Sequence, residues 1–125
     1  AGLGARVAAA PLAMTVVTTE GPVTAFVNDR ARPDAAAVAC NFSEDGRDVG
    51  AIAIFSDAAN IFDRAPWYLI NTATFRFADP AILAPAVKTL KAGETWTLHY
   101  RIALSRSAWT PESLRSEMKA GEARP

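Results

Sequence analysis

Residues 36–55 read AAVACNFSEDGRDVGAIAIF, and the fold is decided in this stretch. Two apolar runs, 36–42 and 49–55, flank the polar cluster Ser43-Glu44-Asp45-Gly46-Arg47-Asp48. The Asp45-Gly46 step stands where a hairpin turn needs positive φ, which glycine supplies at low steric cost. The run 49–55 is apolar except for Gly50, as expected of a central strand covered on both faces. The stretch therefore predicts a β-hairpin at the heart of a sheet.

Outward from it the pattern repeats. Short apolar runs alternate with turn clusters about every ten residues, the signature of a sandwich or barrel. Upstream, 6–10 is a weak strand, and 12–18 and 23–27 form a hairpin broken at Glu20-Gly21-Pro22. Residues 28–34 make a polar turn around Pro33. Downstream, 56–66 is the longest irregular stretch, 67–71 and 74–77 are short strands, and 78–85 is a loop with two prolines. A third hairpin joins 87–90 to 95–104 across Lys91-Ala92-Gly93-Glu94. Its second run alternates: Trp96, Leu98, Tyr100, Ile102 and Leu104 on one face, Thr95, Thr97, His99 and Arg101 on the other.

The period changes near the end. Thr110 is placed to N-cap a helix with Pro111 at its first position. Glu112 suits the positive end of the helix dipole, and Trp109 and Leu114 have staple spacing. Gly121 is placed to close it. A helix over 111–120 follows. It is too short to be stable alone, so Leu114 and Met118 must dock on the sheet. The expectation is one all-β domain over residues 1–125, an antiparallel β-sandwich with one short C-terminal α-helix.

The totals narrow the function. A 125-residue chain suits one domain, and half its residues are hydrophobic. Thirteen basic residues balance thirteen acidic ones, and no basic block stands out, so no nucleic-acid partner is expected. No apolar run reaches the roughly 20 residues of a membrane span. Cys40 is the single cysteine, so periplasmic, secreted and cytoplasmic locations all stay open. The start at Ala1, without an initiator Met, leads us to expect a processed chain or part of a longer protein. One His and one Cys offer no zinc or copper spacing, so no metal site and no cofactor are expected.

Two regions could carry a ligand. His99 and Arg101 are next-but-one neighbours on the polar row. They suit an anion- or sugar-binding strip, or an ordinary solvated sheet face. Trp67 and Tyr68 follow the loop 56–66, which holds Asp57, Asn60 and Asp63. Aromatic rings stack on sugar rings, and loop acids accept hydrogen bonds from hydroxyls. On a strand only one of Trp67 and Tyr68 can face such a site; the other belongs to the core. Asp57 with Asp63, or Glu44 with Asp45, are the carboxylate pairs a glycoside hydrolase or lyase would need. Cys40, on an apolar strand, reads as core.

Several segments in order resemble a family of bacterial proteins labelled PmoA-like. Gly2-Leu3-Gly4-Ala5-Arg6-Val7-Ala8 is similar to its GLGVRVA segment. Residues 49–60 with Pro66-Trp67-Tyr68 follow its VGIAIFDHPxNPRxPxPWHVR pattern. Ala39-Cys40-Asn41-Phe42-Ser43 with Gly46, Ala78-Asp79-Pro80, and 90–102 resemble further family steps. The resemblance implies the C-terminal half of a galactose-mutarotase-like β-supersandwich, an architecture of carbohydrate-active proteins. It also implies exposed sheet edges, met by a partner chain or a homodimer. The family's two histidines are Ala58 and Tyr68 here, and its arginine is Ile70, so no catalytic residue is inherited. The leading expectation is a carbohydrate-related, sugar-binding sandwich. The alternatives are a non-catalytic structural or assembly module and a glycoside hydrolase or lyase.

Overall fold

At the Asp45-Gly46 turn φ is 49° and then 75°. Two positive values in succession are the type I′ geometry that matches the twist of the flanking strands. The computed structural model describes residues 3–60 and 64–122. Within them the order is β1 (Ala5–Val7), β2 (Ala13–Thr18), β3 (Gly21–Val23), β4 (Arg30–Ala31), β5 (Asp34–Ala35), β6 (Ala37–Glu44), β7 (Arg47–Ser56), β8 (Ala65–Asn71), β9 (Arg76–Pro80), β10 (Tyr100–Ser105) and α1 (Pro111–Glu122). One sheet runs β1-β9-β8-β4, with β5 also on β8; the other runs β10-β7-β6-β2-β3. All the strand pairs are antiparallel. The chain is an all-β sandwich with one short C-terminal helix.

Alternation divides each strand between two environments. Val16, Val38, Cys40 and Ile54 of the β10–β3 sheet meet Ala31, Trp67, Leu69 and Ala78 of the β1–β4 sheet. The other face of β6 and β7 carries Ala37, Ala39, Ala53 and Phe55, against which Leu114 is fully buried. Alanines on three neighbouring strands, Ala103 included, leave room for the helix to lie close. Strand β7 is therefore covered on both faces over residues 51–55, whereas Val49 at the start of the apolar run is 48% exposed.

The helix is held at its start by its own caps. Ser113 N donates to Thr110 Oγ1 at 3.0 Å, and Thr110 N donates to Ser113 Oγ at 2.8 Å. This is a capping box with serine in the reciprocal role. Trp109 and Leu114 share one cluster, as the staple requires. Buried Asn41 then acts as a substitute strand for the incoming chain. Its Oδ1 accepts from Trp109 N at 2.8 Å, and its Nδ2 donates to Trp109 O at 2.9 Å. Arg115 donates to Thr19 O, tying the helix to the β2–β3 turn.

Two buried polar or reactive groups belong to the fold. Arg76 donates to Ala8 O at 3.1 Å, Leu12 O at 2.7 Å and Asn71 Oδ1 at 3.0 Å, tying the N-terminal segment to the sheet. Burial pushes the Cys40 thiol up to about 12, with the Arg76 charge pulling the other way. The thiol is a core group and no nucleophile.

Several expectations change, among them the bounds of β1 (Ala5–Val7, not 6–10), β3 (Gly21–Val23, not 23–27) and β9 (Arg76–Pro80, not 74–77). The β2–β3 turn is Thr19-Glu20, with Gly21 and Pro22 already in the strand; β3 is an edge, where proline's missing N–H costs nothing. The polar turn 28–34 contains the two-residue strands β4 and β5. The third hairpin does not form. Its turn survives, with Glu94 N on Lys91 O and positive φ at Gly93. However, Tyr100 is already opposite Ser56, the last residue of β7. Residues 95–99 have no strand beside them, and a two-stranded ribbon alone is marginal. Finally, Ile102 and Leu104 do not reach a buried face. They share the inner face with their partners Ile54 and Ile52, yet are 49% and 79% exposed. Strand β10 is the outermost of its sheet, and the opposite sheet stops short of it.

Candidate functional site

Where β7 ends and β10 begins, the chain makes a tight corner. Asp57 Oδ1 accepts from Ala59 N at 2.7 Å, shaping the turn that follows β7. Asn60 closes it. Its Oδ1 accepts from His99 N at 2.8 Å, and its Nδ2 donates to His99 O at 2.8 Å and to Ser56 Oγ at 3.0 Å. Asp57 N also donates to His99 O at 3.1 Å. The buried Asn60 amide thus spends both its donors and one acceptor site on the protein. It positions His99 beside Asp57. Asn60→Ala is expected to cost about 1–3 kcal/mol by leaving buried backbone groups unpaired, read as a shift in urea midpoint.

Arg101 was expected on an open polar sheet face; it lies under the helix instead. Its Nη1 donates to Glu117 Oε1 at 2.8 Å and its Nη2 to Glu117 O at 3.0 Å. Its guanidinium stands 4.2 Å from the Phe55 ring centroid. A Cβ at Gly121 would meet Arg101 Nη2 at 2.6 Å. Gly121 therefore serves close approach, and the helix runs through it to Glu122 where the sequence predicts a stop. The cause is the alanine floor, which draws the helix onto the face that was expected to be solvated.

Between this corner and the end of the helix lies a cleft of about 220 Å³. Phe55, Ser56, Asp57, Ala58, His99, Tyr100 and Arg101 line it from the sheet, and Met118, Gly121 and Glu122 from the helix. The Tyr100 hydroxyl is buried without a hydrogen-bond partner among the described residues. Burial, and then the Asp79 charge, hold it above the ordinary phenol range, so it stays a neutral donor. The cleft has an apolar base, carboxylates from two elements and an imidazole at its rim.

Of six residues expected at a ligand groove, Asp57, His99 and Arg101 are brought together, with Asn60 behind them. Trp67 and Tyr68 are not. Trp67 is 1% exposed in the inter-sheet core, and its Nε1 donates to Ala35 O at 2.9 Å. Tyr68 points to the opposite, outer face of the β1–β4 sheet, a full sandwich away. Among the acids expected as catalytic pairs, Asp63 lies outside the described residues. Glu44 and Asp45 sit at the far end of the ten-residue strand β7, roughly 30 Å from Asp57 at about 3.3 Å per residue. Met118, Glu117 and Glu122 were missed as site residues, because the sequence places a stop at Gly121 and does not show which sheet face the helix docks on. The alanine pattern at 37, 39, 53 and 103 was the available signal.

Among the described residues no group of three or more His, Cys, Asp or Glu side chains could hold a metal ion. Among the same described residues no helix is long and apolar enough to cross a membrane. No protein-family model matches the chain, and neither a curated protein nor a solved structure matches it significantly.

Proposed function

We infer that this chain is a binding module whose helix–sheet cleft takes a small hydroxylated ligand, a monosaccharide or the end of a glycan. One observation carries the reading: Asp57 and His99, distant in sequence, are joined by a backbone hydrogen bond and line one cleft together with Glu122 of the helix. Carboxylates and imidazole accept from hydroxyls, while Phe55 and Met118 offer apolar surface to a sugar's C–H face. The segment order resembling PmoA-like proteins supports the carbohydrate side of the reading. For the hydrolase alternative, Glu44 and Asp45 stand at the other end of β7, Asp57 lines the cleft, and Asp63 lies outside the described residues. Calorimetric titration with a monosaccharide panel tests the proposal. Asp57→Ala and His99→Ala are each expected to weaken binding by about tenfold, the loss of one hydrogen bond to a charged or polar group. Binding that both variants leave untouched would refute it.

The bare edge of β10 favours a second reading, an assembly module. Ile102 and Leu104 extend the inter-sheet core to the surface beside unpaired strand backbone, the kind of edge that recruits another strand. On that reading sedimentation shows a dimer that Leu104→Lys converts to monomer. A wild-type chain monomeric at every concentration would exclude self-assembly through this edge. The Arg101 face, covered by the helix, is no longer available for it.

A further inference from the structure

Among the described residues no helix or second sheet packs on the outer face of the β1–β4 sheet, and its register places an unusual set of side chains together. Ala5, Ala31, Leu69 and Ala78 pack into the core, so by alternation their neighbours Arg6, Arg30, Ile70, Phe77 and Asp79 face outward. Arg6 is opposite Phe77, Phe77 opposite Ile70, and Ile70 opposite Arg30. One row therefore crosses four strands with an apolar centre and an arginine at each end. In the next row Tyr68 is opposite Asp79, and beyond it Asp34 is opposite Pro66.

The arginines are held. Arg30 Nε donates to Tyr68 Oη at 2.9 Å and its Nη1 to Asn28 O at 2.9 Å. Arg32 stacks over the Tyr68 ring at 4.5 Å, and Arg6 over the Phe75 ring at 5.1 Å. None of the three forms an ion pair among the described residues; those that do are Arg64, Arg101 and Arg115. Stacking leaves the edge N–H groups of a guanidinium free for a planar anion. Phe77 leans across its neighbour, with its ring edge 2.7 Å from where a Gly4 Cβ would stand. Gly4 thereby makes room for an aromatic surface lying along the sheet.

We propose that this face binds an acidic polysaccharide chain, with uronate carboxylates on Arg6, Arg30 and Arg32 and sugar rings over Phe77 and Ile70. Charge complementarity selects this class. Three guanidinium groups without a carboxylate partner among the described residues suit anions, while Asp34 and Asp79 on the same face can accept from hydroxyls. A uronic sugar carries both groups. A DNA strand offers anions at every step but no free hydroxyls along its backbone for Asp34 and Asp79 to accept from, whereas each uronic sugar carries both. The site is separate from the cleft and does not rest on it.

Affinity electrophoresis of the full chain in gels containing polygalacturonate tests the proposal, with a neutral galactan and a single-stranded oligonucleotide as comparators. Polygalacturonate is expected to retard the protein, less so as salt rises. The double variant Arg30→Gln/Arg32→Gln, its fold checked by circular dichroism, is expected to bind about tenfold more weakly. Arg6→Gln is expected to weaken binding in the same direction. Asp57→Ala, which disables the cleft, should bind polygalacturonate as the wild type does. No retardation, equal retardation by neutral galactan, tighter binding to the oligonucleotide, or full binding by the arginine variants would overturn it.

Discussion

Trp67→Ala is expected to lower the unfolding free energy by about 3–5 kcal/mol, the range for truncating a buried aromatic side chain. Trp67 is among the largest fully buried side chains and sits where both sheets converge. Its removal leaves a cavity between two β-sheets that cannot collapse without breaking their ladders. It also orphans Ala35 O, which the indole N–H satisfies. Against a total stability of about 5–15 kcal/mol for a domain, the variant should melt roughly 10–20 °C lower. Trp67→Phe should recover most of the packing but leave the carbonyl unpaired, costing about 1–2 kcal/mol. A change below about 1 kcal/mol in Trp67→Ala would mean the residue is not core. The reading of Trp67 as a sugar-stacking platform would then have to be reopened.

Leu114→Ala is expected to cost about 2–5 kcal/mol and to abolish cleft binding. Leu114 is the one helix residue that is buried. A twelve-residue helix has little stability of its own, so its place depends on this anchor and on the Trp109 and Met118 contacts around it. Once it loosens, Glu117 no longer holds Arg101, and Met118 and Glu122 leave the cleft. Denaturant unfolding gives the first effect and calorimetric titration the second. An unaltered ligand affinity in a destabilised Leu114→Ala would separate the helix from the site. Glu117→Gln offers a milder check, since it weakens one clamp and keeps the anchor.

Local chemistry made the centre of the fold legible. The Asp45-Gly46 turn, the apolar run after it and the Thr110-Pro111 cap each contain their own cause, and each holds. What alternation could not reveal was the partner of each face. In residues 95–104 the apolar row looked buried and the polar row solvated. Ile102 and Leu104 are instead exposed because the opposite sheet ends before β10, and Arg101 is covered because small residues on β6, β7 and β10 admit a helix. Both outcomes depend on sheet width and helix docking, which are tertiary facts. The site shows the same division. Asp57 and His99 can be singled out by type, but that Asn60 is buried and joins them is not legible, because a buried amide and an exposed one read alike.

The cleft is tested most directly by mapping backbone amide shifts of the ¹⁵N-labelled chain during titration with neutral monosaccharides, D-galactose among them. Saturating shifts are expected at Asp57, Ala58, His99 and Gly121, which border the cleft, and not at Tyr68 or Ile70 on the opposite face. Shifts confined to that opposite face, or no saturating shift with any sugar, would contradict a ligand site between the helix and the end of β7.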